Sequence, residues 1–382
     1  MAIARKYLLD LRNPGWVHGI SRCVRKAFLA GNQAAHRKVW VEDRLRLLAE
    51  VFACEMAAYA VMSNHVHVVV RMAPEIAATW SAADVALRWM RIFPGRGRVL
   101  PDGTAVEPDP AQVGTRAQDA AWVVERRRRL ADLPWFMKSL KEFIVRRANA
   151  EDGCTGAFWE ERFTSVPLLD QAALIACMAY VDLNPIRAKL ADRPERSTHT
   201  GAHERVRVRQ RHRVAQRAAA LPAPVRQVVL DQAGLTTGPG GAVATTAGAS
   251  DVPAAPAATT FGAHPESGLW LTPMARCIAG EVLGNSKISV DDYLTLVDAT
   301  GRLIKAGKRG AIPPELGPIL ARLDMSVDDW IATVTTGRSM LGGALGHAAS
   351  RMAEAARRGA DWVRNRCPLF AGKTMGDRTV AA

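Results

Sequence analysis

Two histidines, His65 and His67, flank a single valine within the run Met62-Ser63-Asn64-His65-Val66-His67-Val68-Val69-Val70. Val66, Val68, Val69 and Val70 are β-branched and favour a packed, pleated environment, so the run, from about Met56 onward, reads as one buried strand. Side chains at i and i+2 leave a strand on the same face. The two imidazoles therefore project together, with Val66 in the opposite layer. Paired imidazoles suit a divalent metal, and two ordinary histidines on a half-exposed strand satisfy the same spacing. Further along, Asp170 to Val181 is rich in helix formers, with Leu174, Cys177, Met178 and Val181 apolar. Pro185 ends that helix, because the residue before a proline is pushed out of the α region. Tyr180 and Asn184 then share a helix face and present a phenol beside an amide oxygen. A core tyrosine and a C-terminal Asn cap fit that pattern equally.

The chain has 382 residues, enough for one or two cores, and a formal net charge of +14. Such an excess points to a polyanionic partner, either nucleic acid or an anionic membrane surface. No apolar run is long enough to span a bilayer. Met1 to Tyr7 is charged early and lacks the apolar centre of a secretory signal. Nucleic acid is the remaining polyanion. The six cysteines are scattered without a Cys-x-x-Cys pair, so neither a zinc knuckle nor a disulfide framework is indicated, and the pattern fits reduced thiols in a cytosol.

Several elements must position these residues. A strand ending near Arg22 follows the turn Asn13-Pro14-Gly15 and carries His18, a structural or phosphate-contacting residue. Lys38 to Phe52 is an amphipathic helix with Val41, Leu45, Leu48 and Val51 at helical spacing. Pro74 to Phe93 reads as another helix, and 94–120 as an exposed insertion or a loop over the site. The run Arg126-Arg127-Arg128-Arg129 is either a solvated face or a face that tracks phosphates. Trp135 to Asn149 reads as a helix bearing Lys138, Lys141, Arg146 and Arg147. The guanidinium of Arg162 suits a phosphate, or a neighbouring carboxylate. Residues 196–233 form a basic arm whose Arg–Val alternation at 205–209 reads as an edge strand or a disordered segment. Residues 234–265 are Ala-, Thr-, Gly- and Pro-rich and read as a flexible linker. Residues 266–372 read as an all-α module, with helices beginning near Val290, Ile312 and Met325 and further helix between Ser339 and Arg366. Tyr293 is expected in its core.

Four segments, in order, resemble the one-tyrosine HUH single-strand transposases, specifically the REP-associated tyrosine transposases. They are Pro14 to Arg22, Ala58 to His67 with its Asn-His-x-His, Gly156 to Phe163 with its Trp-x-x-Arg-Phe, and Tyr180 to Ala188 with its Asn-Pro-x-Arg-Ala. The resemblance covers about the first half of the chain. It implies an α+β fold over 1–195: a ferredoxin-like antiparallel sheet with helices packed on one face. It also implies Tyr180 as nucleophile and His65, His67 and Asn184 as ligands of Mg²⁺ or Mn²⁺. Cleavage and rejoining of single-stranded hairpin DNA through a 5′-phosphotyrosine would follow. Arg22, Arg126, Arg127, Lys138, Lys141, Arg162 and Arg187 are the cations expected on DNA. A monomer and a homodimer both fit, in the cytoplasm at the nucleoid. The alternatives are a non-catalytic DNA-binding regulator derived from a transposase, and an RNA-binding protein.

Overall fold

The computed structural model describes residues 14–95, 106–160, 162–232, 235–237, 243–245, 269–277, 288–306, 317–323, 325–335 and 343–363. The chain begins with β1 (Trp16–Arg22), α1 (Arg37–Val51), β2 (Cys54–Val61) and β3 (His65–Met72). Next come α2 (Pro74–Ala78), α3 (Ala82–Ile92), α4 (Pro110–Ala117), α5 (Ala120–Arg129) and α6 (Leu133–Glu151). After β4 (Thr164–Leu168), α7 (Gln171–Asp182) runs into the short α8 (Asn184–Arg187). The basic region forms α9 (Gly201–Ala219) and α10 (Ala223–Gln232). β5 (Leu235–Thr237) and β6 (Val243–Thr245) pair as a small hairpin. Then follow α11 (Met274–Cys277), α12 (Val290–Ala306), α13 (Gly317–Arg322), α14 (Val327–Thr335) and α15 (Ala348–Arg358).

The first four strands form one antiparallel sheet in the order β2-β3-β1-β4, so the fold is α+β. Its helices cover both faces, not one. Val17, Val66, Val68 and Val70 share a core with Leu45 and Leu48 of α1 and Phe136 and Leu140 of α6. Ala58, Ala60, Val69 and Val166 share another with α7. The reason lies in the valines. Val68, Val69 and Val70 are consecutive, so both faces of β3 are apolar and both must be covered.

Local signals correct several expectations. The run from Met56 to Val70 is two strands, because the Met62 N–H reaches back to the His65 carbonyl (2.9 Å) and closes a tight turn. The helix expected over Pro74 to Phe93 is split by a capping box, in which Ser81 and Asp84 each bond the other's backbone N–H. In the insertion expected over 94–120, residues 96–105 lie outside the described residues. Beyond them Asp109 caps α4 by accepting from Ala111 N–H (2.9 Å), with Pro110 in the first turn. α4 packs against α3 and α5, helices of the α1 side, and not over the histidines. The Arg–Val alternation at 205–209 is helical. Thr200 caps α9, and Arg205 and Val208, three apart, turn inward. The Arg205 guanidinium donates to the Ala57 and Thr272 carbonyls (2.8 and 3.1 Å). Apart from β5 and β6, the linker expected over 234–265 lies outside the described residues, as does the helix start near Ile312.

Between 266 and 372 the described chain carries α11 to α15, and it does not stand apart from the sheet. Tyr293, Leu296, Val297, Trp330, Val334 and Leu345 belong to the same core as α7. The later chain also covers both sheet edges. Val61 and Met56 on β2 bond His199 and Thr272 through their backbones (3.0 and 2.8 Å), and Pro167 on β4 bonds Leu345 (2.9 Å). Covered edges cannot recruit a stray strand. No described helix is long and apolar enough to cross a membrane.

Candidate active site

Strand register builds the first half of the site. His65 faces Arg22, His67 faces Ile20, and Val69 faces His18 across the β3–β1 ladder. Paired residues share a face, so His18, His65 and His67 all project toward α7. That helix starts at Asp170, whose carboxylate accepts from Ala173 N–H (2.9 Å). Every residue from Ala172 to Asp182 is buried, because α7 is held between the sheet and the helices of the later chain. Tyr180 lies on its sheet side. The phenol ring stands edge-on to His67, with centroids 5.9 Å apart and planes at 89°, and 6.1 Å from His18. His65 and His67 are themselves 4.7 Å apart. Tyr180 thus lies against His67, and His67 against His65.

Hydrogen bonds fix one nitrogen of each imidazole. His65 Nδ1 bonds the Asn64 side-chain oxygen at 2.6 Å, which leaves Nε2 as the ring's other ligating nitrogen. His67 Nδ1 bonds His18 Nε2 at 2.8 Å, and His67 Nε2 is buried with no hydrogen-bond partner. An orphaned polar nitrogen is costly in a protein interior. A cation on that nitrogen would satisfy it, so the donor set fits a divalent ion bound through the two Nε2 atoms. Among the described residues no group of three or more His, Cys, Asp or Glu could hold a metal by itself. A third protein ligand, were a metal bound here, would be of another type. Asn184 is buried in α8, and its amide nitrogen donates to the Tyr180 and Val181 carbonyls (3.2 and 3.3 Å). Its amide oxygen is the atom suited to a cation.

Electrostatics favour the same use. Burial, then Arg22 and Arg187, depress the His65 pKa to about 4. Burial, then His18 and His65, hold His67 well below the ordinary histidine range. Both rings are neutral at pH 7, the state that ligates metal. Burial raises the Tyr180 phenol above its ordinary value, while Arg187 and Arg22 pull it down. The Arg187 guanidinium lies 3.8 Å from the centroid of the Tyr180 ring and donates to the Tyr180 and Val334 carbonyls.

The other expected cations are dispersed. Arg22 sits opposite His65. Arg126 lies between Trp89 and Trp122, and Arg127 donates to the Ala77 and Trp80 carbonyls. Lys138 and Arg162 are exposed, and Lys141 donates to the Glu160 carbonyl (3.0 Å).

The sequence marks His18 as structural or phosphate-contacting without showing its partner, and it gives Asn64 and Asp182 no role. His18 is fully buried and orients His67, and Asn64 orients His65. Asp182, at the end of α7, accepts from the Tyr293 hydroxyl (2.6 Å) and the Ala202 N–H (2.9 Å). Asn64 had a signal, its place beside His65. The partners of His18 and Asp182 lie 49 and 111 residues away, and no local pattern encodes them.

No protein-family model matches the chain, and comparisons with curated proteins and with solved structures also returned no match.

Proposed function

We propose that this protein is a metal-dependent strand transferase of the one-tyrosine HUH type, cleaving and rejoining single-stranded DNA at folded hairpins. The observation that carries this reading is that Tyr180 from α7 stands against His67, which stands against His65, on one sheet face. A four-stranded antiparallel sheet with a His-x-His on an inner strand and a tyrosine helix across it also suits that fold. Tyr180 Oη attacks the scissile phosphorus and the 3′ oxygen leaves as a hydroxyl, giving a 5′-phosphotyrosine. The covalent ester conserves the energy of the broken linkage, so rejoining needs no nucleotide cofactor. A divalent ion held by His65, His67 and Asn184 would polarise the scissile phosphate. Arg22 supplies positive charge at the same end of the sheet, and Arg187 holds the phenol and eases its ionisation.

One observation favours the second reading, a non-catalytic hairpin-binding regulator: Tyr180 is only 5 % exposed, and burial raises its phenol. Incubation with labelled hairpin DNA and Mn²⁺, followed by denaturing electrophoresis, separates the two. Strand transfer requires a protein–DNA adduct that Tyr180→Phe abolishes. An adduct that persists in Tyr180→Phe, or none from the unaltered protein, rejects it.

A further inference from the structure

Which nitrogen a histidine offers to a metal depends on where its one proton sits. A neutral imidazole carries that proton on Nδ1 or on Nε2, and only the bare nitrogen ligates. The Asn64 side chain lies between two groups that bear on this choice. Its amide nitrogen donates to the Lys26 carbonyl (3.1 Å), and its oxygen lies 2.6 Å from His65 Nδ1. A carbonyl only accepts. Turning the amide over would set two acceptor oxygens against each other, so the amide oxygen faces His65 and Nδ1 is the donor. We propose that the Lys26 carbonyl fixes the Asn64 amide and, through it, the His65 proton on Nδ1, which makes Asn64 a positioning residue that presets Nε2 as a ligating nitrogen. The proposal rests on the metal-dependent reading only for the use made of Nε2.

The backbone that presents the Lys26 carbonyl is held in an unusual shape. Arg25 and Lys26 are consecutive non-glycine residues with positive φ, 54° and 56°, a left-handed conformation that side chains disfavour. Such a conformation persists where the surrounding structure over-determines it, and here hydrogen bonds do so. Lys26 N–H bonds the Cys23 carbonyl (3.1 Å), and Ala27 N–H bonds the Val24 carbonyl (3.0 Å). On either side of this turn the chain is tied to the connection between β2 and β3. Cys23 N–H bonds the Asn64 carbonyl (2.8 Å), and Ala30 N–H bonds the Ser63 carbonyl (2.9 Å). Gly31 approaches so closely that a Cβ there would come 2.6 Å from the Ser63 Cβ. Residues 23–31 thus wrap Ser63 and Asn64, immediately before His65. Arg25 and Lys26 are both exposed, so packing of their side chains does not account for the turn.

His67 is held differently. Its Nδ1 meets His18 Nε2 at 2.8 Å, and either ring can donate in that bond. The contact orients His67 without choosing its tautomer. His65 is therefore ready before a metal binds, whereas the tautomer of His67 is settled by binding.

The test uses the full chain with isotope-labelled histidine. Long-range proton–nitrogen NMR of the metal-free protein at neutral pH reads the tautomer, and His65→Gln identifies the His65 signals. The expected pattern is a protonated Nδ1 and a bare Nε2. Calorimetry with Mn²⁺ gives the affinity of the same preparations. Asn64→Leu removes both amide bonds, so it should lose the Nδ1–H preference and bind Mn²⁺ about tenfold more weakly. Lys26→Gly and Lys26→Val both remove the Lys26 charge and keep its carbonyl, but only glycine accepts the left-handed backbone readily. The glycine variant should keep tautomer and affinity and melt no lower than the unaltered protein. The valine variant should melt lower and lose part of both. A bare Nδ1 at His65 in the unaltered protein overturns the proposal, as does Asn64→Leu with tautomer and affinity unchanged. Equal tautomer populations in the two Lys26 variants also overturn it. Should Asn64→Leu not fold, the unaltered protein and the Lys26 variants still decide. Because the tautomer is read without metal or DNA, absence of a hairpin adduct sinks strand transfer alone, whereas a bare Nδ1 beside normal adduct formation sinks this proposal alone.

Discussion

The proposed chemistry depends on single nitrogen atoms. His67 is fixed by His18 on one side and left without a partner on the other, the state a metal ligand needs and a purely structural histidine avoids. His65 has a measurable consequence. Its folded pKa of about 4 lies below the ordinary 6.5. Between those values the unfolded chain binds a proton that the folded protein refuses, so acid favours unfolding. The contribution is complete above about pH 6.5 and is lost as pH falls toward 4. Metal-free protein should therefore melt at progressively lower temperature from pH 6.5 to 4.5, and His65→Gln should make that decline shallower. An equally steep decline in the variant, followed by scanning fluorimetry, would show that His65 is not the responsible group.

At the scale of elements, α7 is held by its end. The Asp182 carboxylate accepts from Ala202 N–H at the start of α9 and from the Tyr293 hydroxyl on α12. Burial pushes this carboxyl up to about 6, even though its donors favour the charged form. Arg187 adds a second tie, from α8 to the Val334 carbonyl on α14. Three elements from the later chain thus set the axial position of the helix that carries the phenol. Tyr293→Phe removes one donor and should cost about 1 to 2 kcal/mol. Asp182→Ala strands a buried N–H and a buried hydroxyl and should cost about 3 kcal/mol or more. Because the two side chains share a bond, urea unfolding of the double variant should show a loss smaller than the sum by about 1 kcal/mol. Strict additivity would mean the contact contributes nothing.

For the whole molecule, the net charge of +14 and the shared core act together. The core of the later helices is continuous with that of α7, so the described chain positions its candidate nucleophile as one body. If its basic surface binds nucleic acid as proposed, the affinity should depend on salt. If about four phosphates are neutralised, log K should fall with log salt at a slope of about −3, roughly a fiftyfold loss between about 50 and 200 mM. A slope near zero, read by fluorescence anisotropy with labelled hairpin DNA, would exclude nucleic acid as the polyanion that the charge selects.

The sequence alone determined whatever rests on local periodicity. A strand repeat of two placed His65 and His67 on one face, a helical repeat placed Tyr180 one turn before Asn184, and composition pointed to a polyanion. Only the tertiary structure decided that β1 pairs with β3, so that His18 bonds His67. It alone brought Tyr293 to Asp182, and buried the outer side of α7 beneath helices expected to stand apart. Those outcomes depend on side chains far apart in the chain, and the free energy that brings them together comes from burying shared apolar surface, which no short pattern of residues records.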